Sequence, residues 1–251
     1  MTLTDRFRNA VPMSLRNFFF HQFTAYFRTT NPKNYQGSPR HVELNGPLYL
    51  NPAHVSIEDY VRLQSGTRII SNTGRVVIKK YTAVGAGTVM IPGSHVPTVG
   101  MPQFLSTTHV NDKDGTIVIG EDCWIGAGAY LLSHANIGRG CVVAAGSIVT
   151  KNIPPYAVVA GAPAKIIATR FTKEQIISHE ALLYPQEERL TTEELDLLFS
   201  TNYEGKRSIG TAELSTEDKQ LLAKAREELG ILLRKKQEFH IQPGAGAEEG
   251  Q

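Results

Sequence analysis

Large aliphatic residues recur at every sixth position through the middle of this chain, at Ile119, Ile125, Leu131, Ile137, Val143 and Val149. Neither a helix nor a flat sheet has that period. Four positions after each aliphatic stands a mostly small residue: Cys123, Ala129, Ala135, Cys141, Ser147 and finally Ile153. A third column, three positions after each aliphatic, holds Asp122, Gly128, His134, Gly140, Gly146 and Asn152. These residue types enter left-handed backbone conformations most readily, so the third column marks corners.

A hexad of this kind is a short strand followed by a turn. Three hexads close a triangular coil, and successive coils stack about 4.8 Å apart through parallel ladder hydrogen bonds. The columns return earlier as Ile57, Leu63 and Ile69 and, after a three-residue slip, as Ile78, Val84 and Met90. Their corners include Gly66, Asn72, Gly87 and Gly93, whereas Tyr60 and Tyr81 break the rule by residue type. The expected fold is an all-β solenoid of about five coils between residues 50 and 160, because one coil cannot bury its own apolar column.

With 251 residues, 41% hydrophobic and 20% charged, the chain can form one full domain and an accessory segment. A formal net charge of +2 without a basic run argues against a nucleic-acid partner. The start "MTLTDRFRNAVPMSLRN" has no apolar core or small-residue cleavage site. No stretch reaches the roughly 18 apolar residues of a membrane span, so a cytoplasmic location is expected. Cys123 and Cys141 lie one coil apart and should stack inward as small, reduced core residues; a disulfide is conceivable at that distance.

Residues 14–28, "SLRNFFFHQFTAYFR", place Leu15, Phe19, Phe23 and Phe27 at steps of four behind Ser14 as an N-cap, which predicts an amphipathic helix. It either caps the open end of the solenoid or lies on a membrane surface with Arg16 and Arg28 toward headgroups. The stretch "VELNGPLYL" reads as an entering strand, and after "AGAPAKII" the hexad period gives way to helical patterns. Thr172 with Gln175 and Thr191 with Glu194 look like capping boxes, and a helix is expected from about Thr216 to Phe239. The tail "PGAGAEEGQ" is too poor in bulky residues to pack. The expected organisation is therefore residues 1–49 as N-terminal helix and entering strand, 50–167 as solenoid, and 168–251 as a C-terminal helical extension with a disordered tail.

The stretch "IVIGEDCWIGAGAYLLSHANIGRGCVVAAGSIVTKNIPPYAVVAGAPAKII" resembles the hexapeptide-repeat acyltransferases, within them the branch of sugar and xenobiotic O-acetyltransferases. The order of the Ile-Gly-x-x-x-Trp-Ile-Gly and Gly-x-Pro-Ala-Lys elements carries the likeness. The resemblance implies a left-handed parallel β-helix, a homotrimer with sites between subunits, and transfer of an acetyl group from acetyl-CoA to a hydroxyl of a sugar or polysaccharide, with no metal required. The left hand comes from the family alone, since parallel crossovers are usually right-handed.

A hydroxyl attacks a thioester poorly unless a base removes its proton as the bond forms, and imidazole suits that task near neutral pH. The family's base falls on His109, which follows a hexad opened by Phe104 with Thr108 in the small column; an exposed loop histidine is the alternative. His95 is the rival, at an equivalent position after Met90, although the Val-Pro behind it lacks the family's loop. His134 fills a corner, His21, His179 and His240 lie outside the coils, and His41 and His54 have no motif around them. Asp112, Asp114 or a backbone carbonyl could orient the imidazole.

The resemblance puts the oxyanion donor at the Ala127 backbone N–H, with Gly126 allowing close approach of the acyl group. Trp124 becomes an apolar wall for the pantetheine arm or the acceptor, or else a core or trimer-contact aromatic. Ala145 and the Thr150-Lys151 corner would hold coenzyme A, with Lys151 near its phosphates, and Lys165 and Arg170 could add charge; a solvated corner is the alternative for Lys151. The loop from Val110 to Thr116 is shorter than in sugar-acetylating relatives. Three other functions stay open: amino-sugar N-acetylation, a γ-carbonic-anhydrase-like metal enzyme, disfavoured because no His-x-x-x-x-His pair occurs, and a binding solenoid without catalysis.

Overall fold

The computed structural model describes residues 13–70 and 74–228. They divide into two compact units, one formed by residues up to Phe171 with Leu198–Gly210, the other by Thr172–Leu197 with residues from Thr211 onward. In the first unit the strands visit three parallel sheets in rotation. The first wall contains Val55–Ile57, Arg75–Ile78, Thr116–Ile119 and Asn136–Ile137. The second contains Glu43–Leu44, Arg62–Leu63, Ala83–Val84, Trp124–Ile125, Val142–Val143 and Ala157–Ala160, and the third Arg68–Ile69, Val89–Ile91, Tyr130–Leu132 and Ile148–Val149. Val118 lies opposite Asn136, Trp124 opposite Val142 and Tyr130 opposite Ile148, so each coil advances by three hexads as the period requires.

The aliphatic column fills the interior: Ile119, Ile125, Leu131 and Ile137 are all fully buried, with Cys123, Ala129, Ala135 and Cys141 beside them. Each such aliphatic contributes about 1.5–3 kcal/mol by leaving water, and the small column leaves room for the three walls to meet. Both cysteines are free thiols. Cys123 Sγ donates to Gly138 O at 3.1 Å and Cys141 Sγ to Pro154 O at 3.0 Å, while burial and then the neighbouring Cys141 push the Cys123 thiol well up.

Asp122, Gly128, His134, Gly140 and Gly146 all have φ between 55 and 69°. Tyr60 and Tyr81, which violate the corner rule by residue type, nevertheless adopt φ of 61 and 66°. Stacking supports them: the Tyr60 ring lies 5.0 Å from His41 on one side and 5.4 Å from Tyr81 on the other. Two predicted corners differ. Gly93 instead begins a two-stranded ribbon, and Asn152 stays out of the left-handed region, its side chain accepting from Asn136 N at 3.2 Å. Asn72 lies outside the described residues.

One edge of the prism carries an ion pair. Arg170 Nη1 donates to Asp122 Oδ2 at 2.8 Å, to Asp122 O at 2.7 Å and to Gly140 O at 3.2 Å, with only 22% of the Arg170 side chain and 17% of the Asp122 side chain exposed. The guanidinium thus ties two successive corners together and is committed to this edge. Arg170→Ala is expected to lower unfolding free energy by about 1.5–3 kcal/mol, because it removes the charged hydrogen bonds that tie the Asp122 and Gly140 corners together; urea denaturation would measure it.

The final coil closes with an antiparallel return, Lys165–Thr169 on Ala157–Ala160. At the other end, helix α1 (Met13–Thr30) contains Ser14 within it, so Ser14 is not its cap. Its last turn is anchored, with Tyr35 Oη donating to Thr29 O at 2.6 Å. Phe18, Phe19, Phe20, Phe23 and Phe27 remain 55–66% exposed, so the aromatic face is not laid over the core as a cap. The side chains of Arg16 and His21 lie outside the described set. In the second unit, helix α2 (Lys173–Leu183) opens on the predicted Thr172–Gln175 capping box, and Thr191 and Glu194 make the same reciprocal bonds at the start of α3 (Thr192–Asn202), whose residues from Leu198 onward belong to the first unit. Helix α4 is described over Thr216–Glu228; the rest of the helix expected to reach Phe239, His240 and the tail lie outside the described residues. No helix among the described residues is long and apolar enough to cross a membrane.

Candidate active site

Among the described residues the longest interruption of the coil lies between the third-wall strand Val89–Ile91 and the first-wall strand Thr116–Ile119. Gly93–His95 leaves the prism and Asp112–Asp114 returns antiparallel to it, placing His95 directly opposite Asp112. Ser133 Oγ, one coil along, donates to Pro92 O at 3.0 Å and fixes the base of this insert. At the far end, a 3-10 helix over Gln103–Thr108 stops at His109, whose φ of 55° reverses the chain and aims its ring back at the ribbon.

Two imidazoles consequently meet on one carboxylate. His95 Nδ1 lies 2.7 Å from Asp112 Oδ1, and His109 Nδ1 lies 2.7 Å from Asp112 Oδ2, with the two rings stacked at 5.9 Å between centroids. Hydrogen bonds from His109, then from His95, hold the Asp112 carboxyl below the usual carboxylate range. An ionised carboxylate only accepts, so each Nδ1 carries a proton and each Nε2 of a neutral ring keeps its lone pair. Because the Asp112 pKa is depressed, the bridge is complete above the ordinary carboxylate range and is lost only as pH falls through the lowered value. Its protonation is therefore expected to produce no limb in a pH–rate profile above about pH 4.

Several sequence-based expectations change here. Phe104 does not open a hexad: it is 90% exposed on the 3-10 helix, and Thr108 is exposed too. The insert spans the whole stretch between Ile91 and Thr116 rather than Val110 to Thr116, and His95 belongs to the same loop as His109. Of the acceptors left open for the imidazole, Asp112 occupies the position. The His95 partnership escaped sequence reasoning because it depends on ribbon register; the facing polar runs "GSH" and "DKD" were its only trace.

The other candidates lie elsewhere on the prism. Trp124 is on the second wall between Ala83 and Val142 and is 62% exposed, so it is not a core residue of this chain. Ala127 sits at the turn from the second wall to the third, its backbone stacked beneath Ala145, which is one coil along; Gly146 N donates to Ala127 O at 2.9 Å. Both alanines are exposed, as are Thr150 and Lys151 at the turn that follows the third-wall strand Ile148–Val149. The glycine at 126 has a purpose other than acyl approach, since a Cβ there would overlap Ala145 N of the next coil. Lys165 is exposed, whereas Arg170 is engaged at the Asp122 edge.

Known proteins share both the repeat and the architecture. Residues 116–151 match the family described as bacterial transferase hexapeptide (six repeats). A chloramphenicol acetyltransferase of Klebsiella aerogenes is 47% identical over 75 residues, which is 30% of this chain and 36% of that protein. One from Escherichia coli is 31% identical over 115 residues, 41% of this chain and 55% of that protein. The chain thus spans between about a third and about half of the length of these curated relatives. Among solved structures, a hexapeptide-repeat-containing acetyltransferase from Vibrio cholerae superimposes with a TM-score of 0.52 at 18% identity, covering 63% of this chain and 94% of that one. In its hexads and in the three-walled coil they build, this chain resembles the hexapeptide-repeat acyltransferases.

Proposed function

We propose that this chain is an acetyl-CoA-dependent O-acetyltransferase built on a left-handed parallel β-helix and acting as a homotrimer. The observation that carries the proposal is the Asp112-held imidazole of His109. Its Nδ1 is fixed as a donor, which leaves Nε2 to take a proton from an attacking hydroxyl. The Ala127 N–H stabilises charge on the thioester oxygen, Trp124 lines the pantetheine arm, and Ala145, Thr150 and Lys151 hold coenzyme A. The names of the curated relatives, acetyltransferases in each case given above, support the group transferred.

Within one chain, His109 leaves the prism between the third and first walls, whereas Ala127 turns between the second and third. In the trimer proposed here the Ala127 edge of a neighbouring copy meets the His109 loop of the first, so that the site is shared between subunits. The acceptor is a sugar or polysaccharide hydroxyl. A hydroxyl-bearing antibiotic is the second reading, favoured by the apolar residues that flank His109, with Phe104 90%, Val110 52% and Leu105 44% exposed.

Titration with acetyl-CoA is expected to raise the melting temperature, by the equivalent of about 2.7 kcal/mol at a hundredfold excess over Kd. No shift would favour a binding solenoid without catalysis. Hydroxylamine then distinguishes the product: an ester is cleaved, whereas a resistant amide would assign N-acetylation. Asp112→Asn is expected to lower turnover on the order of 10²–10⁴-fold, since the amide can present a donor to Nδ1 and favour the wrong tautomer. A turnover number near wild type would remove Asp112 from the mechanism.

A further inference from the structure

We propose that the His95–Asp112–His109 cluster is also a site for a borderline divalent transition metal, Zn²⁺ being the test case, and that occupation switches acetyl transfer off. One donor atom from each residue lies within 4.8 Å of the other two. The two Nδ1 atoms already converge on the two oxygens of a single carboxylate at 2.7 Å each. Two imidazoles and a carboxylate form a donor set suited to zinc and its neighbours, with coordination positions left for water. The cluster is also open to ions in solution, since 45% of each imidazole and 23% of the Asp112 side chain are exposed. The ribbon pairing of His95 with Asp112 and the left-handed reversal at His109 hold the three donors together without the metal, so little ordering remains to be done on binding.

The inhibitory effect follows from proton bookkeeping and rests on the proposed role of His109 as base. In the free protein each neutral imidazole carries its proton on Nδ1, bonded to Asp112. When Nδ1 gives its lone pair to the metal, that proton is transferred through solvent to Nε2. The proton count of each ring is unchanged, but His109 Nε2 becomes a donor and has no lone pair for the acceptor hydroxyl. Metal binding and base catalysis at His109 are therefore mutually exclusive, and the metal is an inhibitor here rather than a cofactor.

The test uses the full chain, freed of metal by chelation, and Co²⁺ as a spectroscopic probe alongside Zn²⁺ calorimetry. Wild type is expected to bind one ion per chain with visible d–d absorption, which Zn²⁺ displaces. His95→Gln and His109→Gln are each expected to weaken Zn²⁺ affinity by no less than the roughly 10–100-fold typical of losing even an outer-shell partner. Both positions are partly exposed, and far-UV circular dichroism checks that the variants are folded. Absence of binding to wild type, or unchanged affinity in both variants, would overturn the site. Acetyl transfer that persists under saturating Zn²⁺ would overturn the inhibition. A d–d spectrum that depends on His95 in a protein with no acetyltransferase activity would leave the metal site standing and refute the proposed enzyme instead.

Discussion

His109→Ala is expected to reduce acetyl transfer by about 10²–10⁴-fold, the usual contribution of a positioned general base, while leaving the protein folded. The side chain is 45% exposed and packs no core, so its loss removes a proton acceptor without opening a cavity. Because the base acts on the acceptor hydroxyl and not on the thioester carrier, the effect should fall on kcat, with KM for acetyl-CoA little changed. Steady-state thiol release with a saturating acceptor measures both. His95 provides the internal comparison, since it has the same bond to the same carboxylate. A rate that survives in His109→Ala but disappears in His95→Ala would transfer the role of base to His95.

Gly126→Ala is expected to destabilise the prism by about 1–3 kcal/mol or more, as overpacking of a close contact does. The added methyl would meet Ala145 N, Ala144 C and Ala145 Cα, all backbone atoms of the next coil that cannot rotate aside. Gly85 shows the same constraint one coil earlier, where a Cβ would lie 2.6 Å from Ala127 N. Gly128 is the control. It has nothing within 4 Å of an added Cβ, and substitution there meets only the strain of its φ of 66°, on the order of 1–2 kcal/mol. Urea midpoints of the two variants separate the causes. A Gly126→Ala protein that is as stable as wild type yet inactive would return the glycine to acyl approach.

The coils were legible because their periodicity is an interior property: Ile119 to Val149 must all point inward, and any slip of one residue would expose the column. Corners were less legible. Left-handed geometry is imposed by the coil and can be met by side chains that gain something in return, as Tyr60 and Tyr81 do by stacking. The insert defeated the period altogether, since Phe104 fits a hexad by spacing alone and stands in solvent. His109 is singled out as the base by resemblance to a family motif alone, while its bond to Asp112 and its pairing with His95 are products of ribbon register, which no local pattern encodes. The aromatic run of α1 announced a helix without indicating that Phe18, Phe19, Phe20, Phe23 and Phe27 would stand exposed.

The rate of thiol release from acetyl-CoA by the full chain, measured against a panel of monosaccharides, oligosaccharides and hydroxyl-bearing antibiotics, tests the central claim most directly. Acceptor-dependent release, with one ester formed per thiol and the rate lost in His109→Ala, is the predicted result. A folded protein that releases no thiol above the buffer rate with any of these acceptors would contradict it.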